Sequence, residues 1–199
     1  MNVLFTWFGN TDHNNFLNDK HASISTILTN NQQQFDEVHI LDNQFKNDWT
    51  KYKQWLAKKL EEKEYPIPKI KFHQAKLKSP VDFKSIAENL NPLLEEYSKE
   101  GASIAINFTS GTPAMSSVSA LLGYGVYNVQ LIQTTRDQDV IYETLPFDFK
   151  TIYYQKNNNE LERLIGNDPK IETAFENMIA QSDVMKETHD LAKRIHNKL

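Results

Sequence analysis

The chain has no cysteine among its 199 residues. That absence removes disulfides, thiolate metal sites and a cysteine nucleophile together. Long apolar runs are lacking too. The opening stretch Met1-Asn2-Val3-Leu4-Phe5 has no basic residues ahead of it and stops by Gly9. It is too short for a signal peptide, and no later stretch approaches the roughly 18 apolar residues of a membrane span. A soluble cytoplasmic protein is expected. A basic excess is also missing: 22 Lys and Arg stand against 26 Asp and Glu, a net charge of -4. Non-specific binding to duplex DNA needs many cations facing phosphates and is not expected. A local pocket for a small anionic ligand remains open. What is present suffices for a core, with 39% hydrophobic and 24% charged residues.

Short apolar runs alternate with helical spacings. Asn2 to Phe8 reads as a buried strand, ended by turn chemistry at Gly9-Asn10-Thr11-Asp12. Ile24, Ile27 and Leu28 have helical spacing, and Val38 to Leu41 is a second strand. Asp48 is placed to cap a helix carrying Trp49, Tyr52, Trp55, Leu56 and Leu60 inward. Lys69 to Phe72 is a third strand. Ser79-Pro80 opens a helix with Ile86, Leu90, Leu93 and Leu94 inward, Pro92 as a kink point and Gly101 as its end. Ser103 to Phe108 reads as a central strand. Thr112-Pro113 then starts a helix with Met115, Val118, Leu121 and Leu122 on one side. Val129 to Ile132 is the fifth strand. Val140 to Leu145 reads as its hairpin partner, and Thr151 to Tyr154 as a further edge.

The order predicts an α/β fold: a Rossmann-like, mostly parallel sheet with helices on both faces and an antiparallel margin. This domain spans 1–155. Asn157-Asn158-Asn159 reads as a linker, and 160–199 as a helical tail. Ile171, Met178, Met185, Ala192 and Leu199 recur every seven residues there, either as a seam for a partner helix or as packing on the chain's own domain. His189 and His196 read as solvent-exposed rather than metal-binding, and no metal or cofactor is expected.

Ligands in such sheets bind at the carboxyl ends of strands. The loops to examine follow Phe8, Leu41, Phe72, Phe108 and Thr134. The strongest feature is Asn107-Phe108-Thr109-Ser110-Gly111-Thr112-Pro113-Ala114-Met115. Thr112 suits the N-cap and Pro113 the first helical position. Free N–H groups and the helix dipole there favour an anion. Gly111 allows close backbone approach, and Ser110 and Thr112 add hydroxyls. The bland alternative is an ordinary strand-to-helix turn. Asn10 and Thr11 are candidates for ribose or base edges, and Arg136 for a phosphate. There is no Gly-x-x-x-x-Gly-Lys loop, no dinucleotide glycine fingerprint and no Gly-x-Ser-x-Gly elbow.

The Ser110-Gly111-Thr112-Pro113-Ala114-Met115 segment resembles the Ser-Gly-Thr-Pro-x-Met turn of CARF domains, the CRISPR-associated Rossmann sensors that include the sensor halves of Csm-type ribonucleases. The opening strand with Gly9-Asn10-Thr11-Asp12 resembles that family's first ligand loop. Ile106 to Thr135 is also similar to the CARF domain of the sigma-54-dependent activator of the RNA-repair operon, including Leu131-Ile132-Gln133-Thr134. In the tail, Leu164 to Pro169 and Leu191 to His196 resemble parts of the AAA+ domain of sigma-54 activators. Val184 to His189 stands where that family has its Walker A loop, so ATP hydrolysis is not expected. The Arg-x4-6-His motif of the Csm-type ribonuclease half is absent from the tail.

The resemblance implies a homodimer that binds a cyclic oligoadenylate, cyclic tetra- or hexa-adenylate, made by a type III CRISPR complex. On the RNA-repair side it implies an RNA end or fragment instead. The candidate ligand set is Phe8, Gly9, Asn10, Thr11, Asp12, Thr109, Ser110, Gly111, Thr112, Pro113, Met115 and Arg136. Some CARF domains cut their ligand by attack of a ribose 2′-OH, and Thr11, Ser110 and Thr112 are the catalytic candidates for such a ring nuclease. Four readings compete: a stand-alone sensor, a ring nuclease, the sensor remnant of a transcription regulator, and a plain mononucleotide-binding Rossmann domain.

Overall fold

A computed structural model describes residues 1–30, 32–127 and 129–143, all within the compact unit Met1–Asp148. The edge expected at Thr151 to Tyr154, the end of the hairpin strand at Thr144 and Leu145, the linker and the tail lie outside the described residues.

Six strands form one sheet: β1 (Asn2–Trp7), β2 (Glu37–Asp42), β3 (Lys69–Gln74), β4 (Ser103–Asn107), β5 (Gln130–Thr134) and β6 (Val140–Glu143). Their order is β3-β2-β1-β4-β5-β6. All neighbours are parallel except β5 and β6, which pair antiparallel from Leu131–Glu143 to Thr134–Val140. Helices α1 (Asn10–Leu17) and α2 (Ser23–Leu28) join β1 to β2. Helices α3 (Trp49–Glu61), α4 (Phe83–Lys99) and α5 (Pro113–Ala120) make the other crossovers. This is the expected doubly wound sheet with an antiparallel margin.

Burial on both faces explains why β1 and β4 read as continuous apolar runs. Their side chains still alternate. Val3, Phe5 and Trp7 join Ile104 and Ile106 against Ile86, Leu90 and Leu94 of α4 and Met115 and Val118 of α5. Leu4 and Ala105 face the opposite way, with Val38 and Ile40, against Ile24 and Ile27 of α2 and Tyr52, Leu56 and Leu60 of α3. Each such fully buried side chain is worth about 1.5–3 kcal/mol, so the two cores set the strand register.

Several local expectations need correction. Gly9 to Asp12 is not a free turn. Gly9, with extended backbone, caps α1, and Asn10, Thr11 and Asp12 are its first turn, closed by His13 N–H donating to the Gly9 carbonyl at 3.0 Å. Asp48 precedes α3 but makes no side-chain cap; its carboxylate pairs with His13 at 2.9 Å. Helix α4 opens at Asp82 rather than Ser79-Pro80, because the Asp82 carboxylate accepts from the Ser85 N–H at 2.9 Å. It runs on through Pro92 and ends before Gly101, whose φ of +71° suits glycine. Leu121 is 51% exposed, not inward. After Ala120 the chain widens into a π-helical stretch, Leu121–Tyr127, which shifts the helical phase. The widening lets buried Gly123 lie on the sheet: a Cβ there would stand 2.6 Å from Ile106 Cδ1 and 2.9 Å from Val129.

Candidate functional site

The strand order reverses direction between β1 and β4, and their carboxyl ends lie side by side. Such a switch point leaves a crevice. Two turns meet across it. A Cβ on Gly9 would lie 2.8 Å from the Gly111 nitrogen, and Gly111 itself has φ +101°. Only glycine allows this approach at both positions. Beyond Gly111, Thr112 caps α5 by accepting from the Met115 N–H at 3.3 Å, and Pro113 takes the first helical position. This expected helix start is observed.

Asn107, fully buried at the end of β4, holds the crevice together. Its Nδ2 donates to Thr6 Oγ1 at 3.0 Å and to Ser110 Oγ at 3.1 Å. Its Oδ1 accepts from the Thr109 N–H at 3.0 Å and from the Ser23 hydroxyl at 3.1 Å. All four hydrogen-bonding positions of this amide are filled. The network extends to β5: Thr134 donates its hydroxyl to Ser23 at 2.9 Å and its N–H to Thr109 Oγ1 at 2.8 Å. Asn107 belongs to the motif but lies outside the candidate ligand set. A polar residue closing a buried strand is the signal that marks it.

Above this network lies a cavity of about 690 Å³. All twelve candidate residues line it: Phe8, Gly9, Asn10, Thr11 and Asp12 on one wall, Thr109 to Pro113 and Met115 on another, and Arg136 at the rim. Sequence reasoning missed Asn15, His21, Ala22, Ser23, Thr26, Asn43, Gln44, Pro80, Thr134, Thr135 and Gln138. Asn43, Gln44, Pro80 and Thr135 do come from the loops after β2, β3 and β5, where strand polarity places ligand contacts.

The lining carries few charges. Arg136 is its single permanent cation and Asp12 its single carboxylate among the described residues. Asp12 is 2% exposed. Its carboxylate accepts from the Ile24 N–H at 3.1 Å, and the other groups that act on it, the Ser110 side chain and the backbone of Gly9 and of Asp12 itself, are neutral too. Burial outweighs these neutral donors and pushes its pKa up to about 6. Burial also lowers that of His21, first among its causes, and the His21 Nδ1 is buried without a hydrogen-bond partner among the described residues.

The hydroxyls divide into two kinds. Ser110 accepts from Asn107 Nδ2 at 3.1 Å. Thr112 donates to the Pro80 carbonyl at 2.6 Å. Both are engaged within the protein. Thr11 and Asn10 are exposed, with no side-chain hydrogen bond to any described residue. Asp42, at the end of β2, occupies the place where dinucleotide-binding sheets present an acid to ribose. Here its carboxylate is held by the Gln44 and Phe45 N–H groups and Trp49 Nε1, at 2.7–2.9 Å, which argues against that mode of ribose binding.

No protein-family profile and no curated protein sequence matches the chain. Solved structures do. Csm6 of Enterococcus italicus, bound to cyclic hexa-2′-fluoro-hexa-dAMP, matches with a TM-score of 0.62 at 18% identity, over 99% of this chain and 53% of that one. Can2 of Sulfobacillus thermosulfidooxidans, in complex with cyclic tetra-adenylate, matches with a TM-score of 0.50 at 15% identity, over 71% and 34%. VC1899 of Vibrio cholerae matches with a TM-score of 0.53 at 10% identity, over 70% and 33%. The chain thus spans about half the length of the Csm6 chain. The fold implied by the Ser-Gly-Thr-Pro-x-Met resemblance and the fold observed agree: this is the Rossmann-like fold of CARF domains.

Proposed function

We propose that the chain is a CARF-like sensor that binds a cyclic oligoadenylate in the switch-point cavity and acts in type III CRISPR antiviral signalling. One observation carries the reading: both expected ligand loops converge on one cavity, and two proteins of the same fold are seen with cyclic oligoadenylates. The chemistry supports it. The N-terminus of α5 favours phosphate, Arg136 adds a cation, and Asn10 and Thr11 are free to meet ribose or base edges. A ring of four or six adenylates exceeds a cavity of about 690 Å³. Two cavities facing each other across a homodimer axis accommodate it. The protein is placed in the cytoplasm, with 1–155 as the sensing domain, 160–199 as a helical tail and no role in duplex DNA binding.

The test is calorimetry with cyclic tetra-adenylate and cyclic hexa-adenylate, with the nucleotide followed by chromatography over hours. The sensor predicts one ring per two chains and an intact ring. Arg136→Ala should weaken binding about tenfold and lower its salt dependence by about one counterion. A ring nuclease is the second reading, favoured by the exposed Thr11 hydroxyl in the cavity. It predicts linear products that Thr11→Ala abolishes. Absence of binding to either ring removes the cyclic-oligoadenylate reading and turns the search to RNA ends.

A further inference from the structure

The loop after β2 reaches the cavity from one side of the switch point, and Arg136, after β5, from the other. Asn43 and Gln44 of this loop line the cavity, and their side-chain amides make no hydrogen bond to any described residue. Everything beside them is fastened. The Asp42 carboxylate, 1% exposed, accepts from the Gln44 N–H at 2.9 Å, the Phe45 N–H at 2.8 Å and Trp49 Nε1 at 2.7 Å. The Phe45 ring stacks on His13, with centroids 3.9 Å apart, and meets the Phe8 ring edge-on at 5.7 Å. The Trp49 ring stacks on Phe72 at 4.9 Å. A loop pinned on both sides of two unengaged amides holds them ready for a ligand.

We propose that Asn43 and Gln44 read the adenine bases of the ring and that Asp42 is the positioning residue that holds them in place. The inference rests on the functional reading above. Each amide accepts from the 6-amino group of a base and donates to the ring nitrogen beside it. Adenine presents that donor and acceptor side by side, and the carbonyl and NH2 of an amide are their complement. A neutral amide brings no charge to a phosphate. The groups that do favour phosphate, the N-terminus of α5 and Arg136, follow β4 and β5. Phosphate binding and base reading are thus divided between the two sides of the crevice. Phe8, Pro80 and Met115 share the lining and give the face of the purine an apolar surface. The acid that dinucleotide-binding sheets turn toward ribose serves here to fasten a base-reading loop.

The experiment is calorimetry with cyclic tetra-adenylate and cyclic hexa-adenylate, and with the same rings carrying purine in place of adenine. Purine lacks the 6-amino group and keeps the ring nitrogens. Wild type should bind the purine rings more weakly by about tenfold or more. Asn43→Ala combined with Gln44→Ala should weaken binding of the adenine rings by about tenfold or more and erase most of the adenine-to-purine ratio. The salt dependence of the double variant should remain that of wild type, because the phosphate contacts are untouched. Asp42→Asn sets an NH2 group against the donors that its carboxylate now serves. It should lower the same ratio, shift the Trp49 indole N–H resonance and keep the salt dependence. A merely structural role would weaken both kinds of ring equally and leave the ratio alone. Equal wild-type affinity for adenine and purine rings overturns the inference and leaves the sensor reading intact. A ratio that survives in the double variant does the same, and one kept by folded Asp42→Asn overturns the role of Asp42. No binding of either adenine ring overturns both readings.

Discussion

Two carboxylates at opposite ends of the same sheet have contrasting surroundings. Glu37 opens β2, at the end away from the cavity. Lys71, Lys69, the Tyr97 hydroxyl and His39 all converge on it, and those partners, Lys71 first, hold its pKa far below the usual carboxylate range. Lys71 is in turn pushed up to about 12. His39, buried and neutral, donates Nε2–H to Glu37 and accepts at Nδ1 from His73 at 2.9 Å. Asp12, at the cavity end, is given only neutral donors, and burial raises it to about 6. Where the fold needs only to stand, charge is paired. At the cavity end a buried carboxylate is left without a counter-ion, and the protein is less stable for it.

That difference predicts opposite effects of removing each charge. The largest belongs to Asp12→Asn. A carboxylate raised from 3.8 to about 6 on folding costs on the order of 3 kcal/mol once it is ionised. The group's contribution is favourable below its unfolded value and is lost as pH rises through about 6. Asp12→Asn should therefore be more stable than wild type at pH 7.5, melting about 5–10 °C higher, with the gap closing as pH falls toward 4. Comparing variants at each pH matters, because His39, lowered to about 4 by burial, titrates with the opposite sign across the same interval. A higher melting point that does not change with pH would break the contrast.

Glu37→Gln should do the reverse. It leaves Lys71 and the Tyr97 hydroxyl without their carboxylate and should cost about 2 kcal/mol at pH 7. The lowered value fixes the sign: the stabilisation is present above the ordinary glutamate range and is lost as pH falls below about 4.5. Urea titrations of both proteins at pH 7 and pH 4 check this, with the gap between the two midpoints beginning to narrow at the lower pH, because the loss is complete only as pH falls through the lowered folded value. The ligand affinity of folded Glu37→Gln should be unchanged, since this cluster lies at the other end of the strands.

The same contrast explains what the sequence made legible. The Ser110-Gly111-Thr112-Pro113 turn could be read because cap, glycine and proline are local signals within four neighbouring residues. The sheet could be read because β1 and β4 are buried on both faces and keep their apolar runs. Helix α1 escaped because its single buried residue is the polar Asp12, so it has no apolar stripe to betray it. A regular helix continued past Ala120 would turn Leu121 inward, and the sequence carries no signal for the π-helical widening that turns it out. His21, Ser23, Asn43, Gln44 and Pro80 reach the cavity through topology, from the α1–α2 connection, the start of α2 and the loops after β2 and β3. Nothing in their neighbours along the chain distinguishes them from surface polar residues.

The smallest predicted effect concerns how the cavity end is fastened. Thr112 Oγ1 accepts from the Met115 N–H and donates to the Pro80 carbonyl, so one hydroxyl both caps α5 and ties down the turn before α4. Thr112→Val keeps the shape and removes both bonds. A lost cap costs about 1 kcal/mol, and the orphaned Pro80 carbonyl, partly exposed, adds little because water can replace the donor. The variant should melt about 2–4 °C lower, with faster amide exchange at Met115. Thr112→Ser should restore both values. Unlike the Asp12 effect, this one should not change between pH 5 and 8, because neither bond involves an ionisable group. A pH-dependent loss in Thr112→Val would mean that the α5 cap and the buried Asp12 carboxylate are coupled, and the two effects would then have to be measured together.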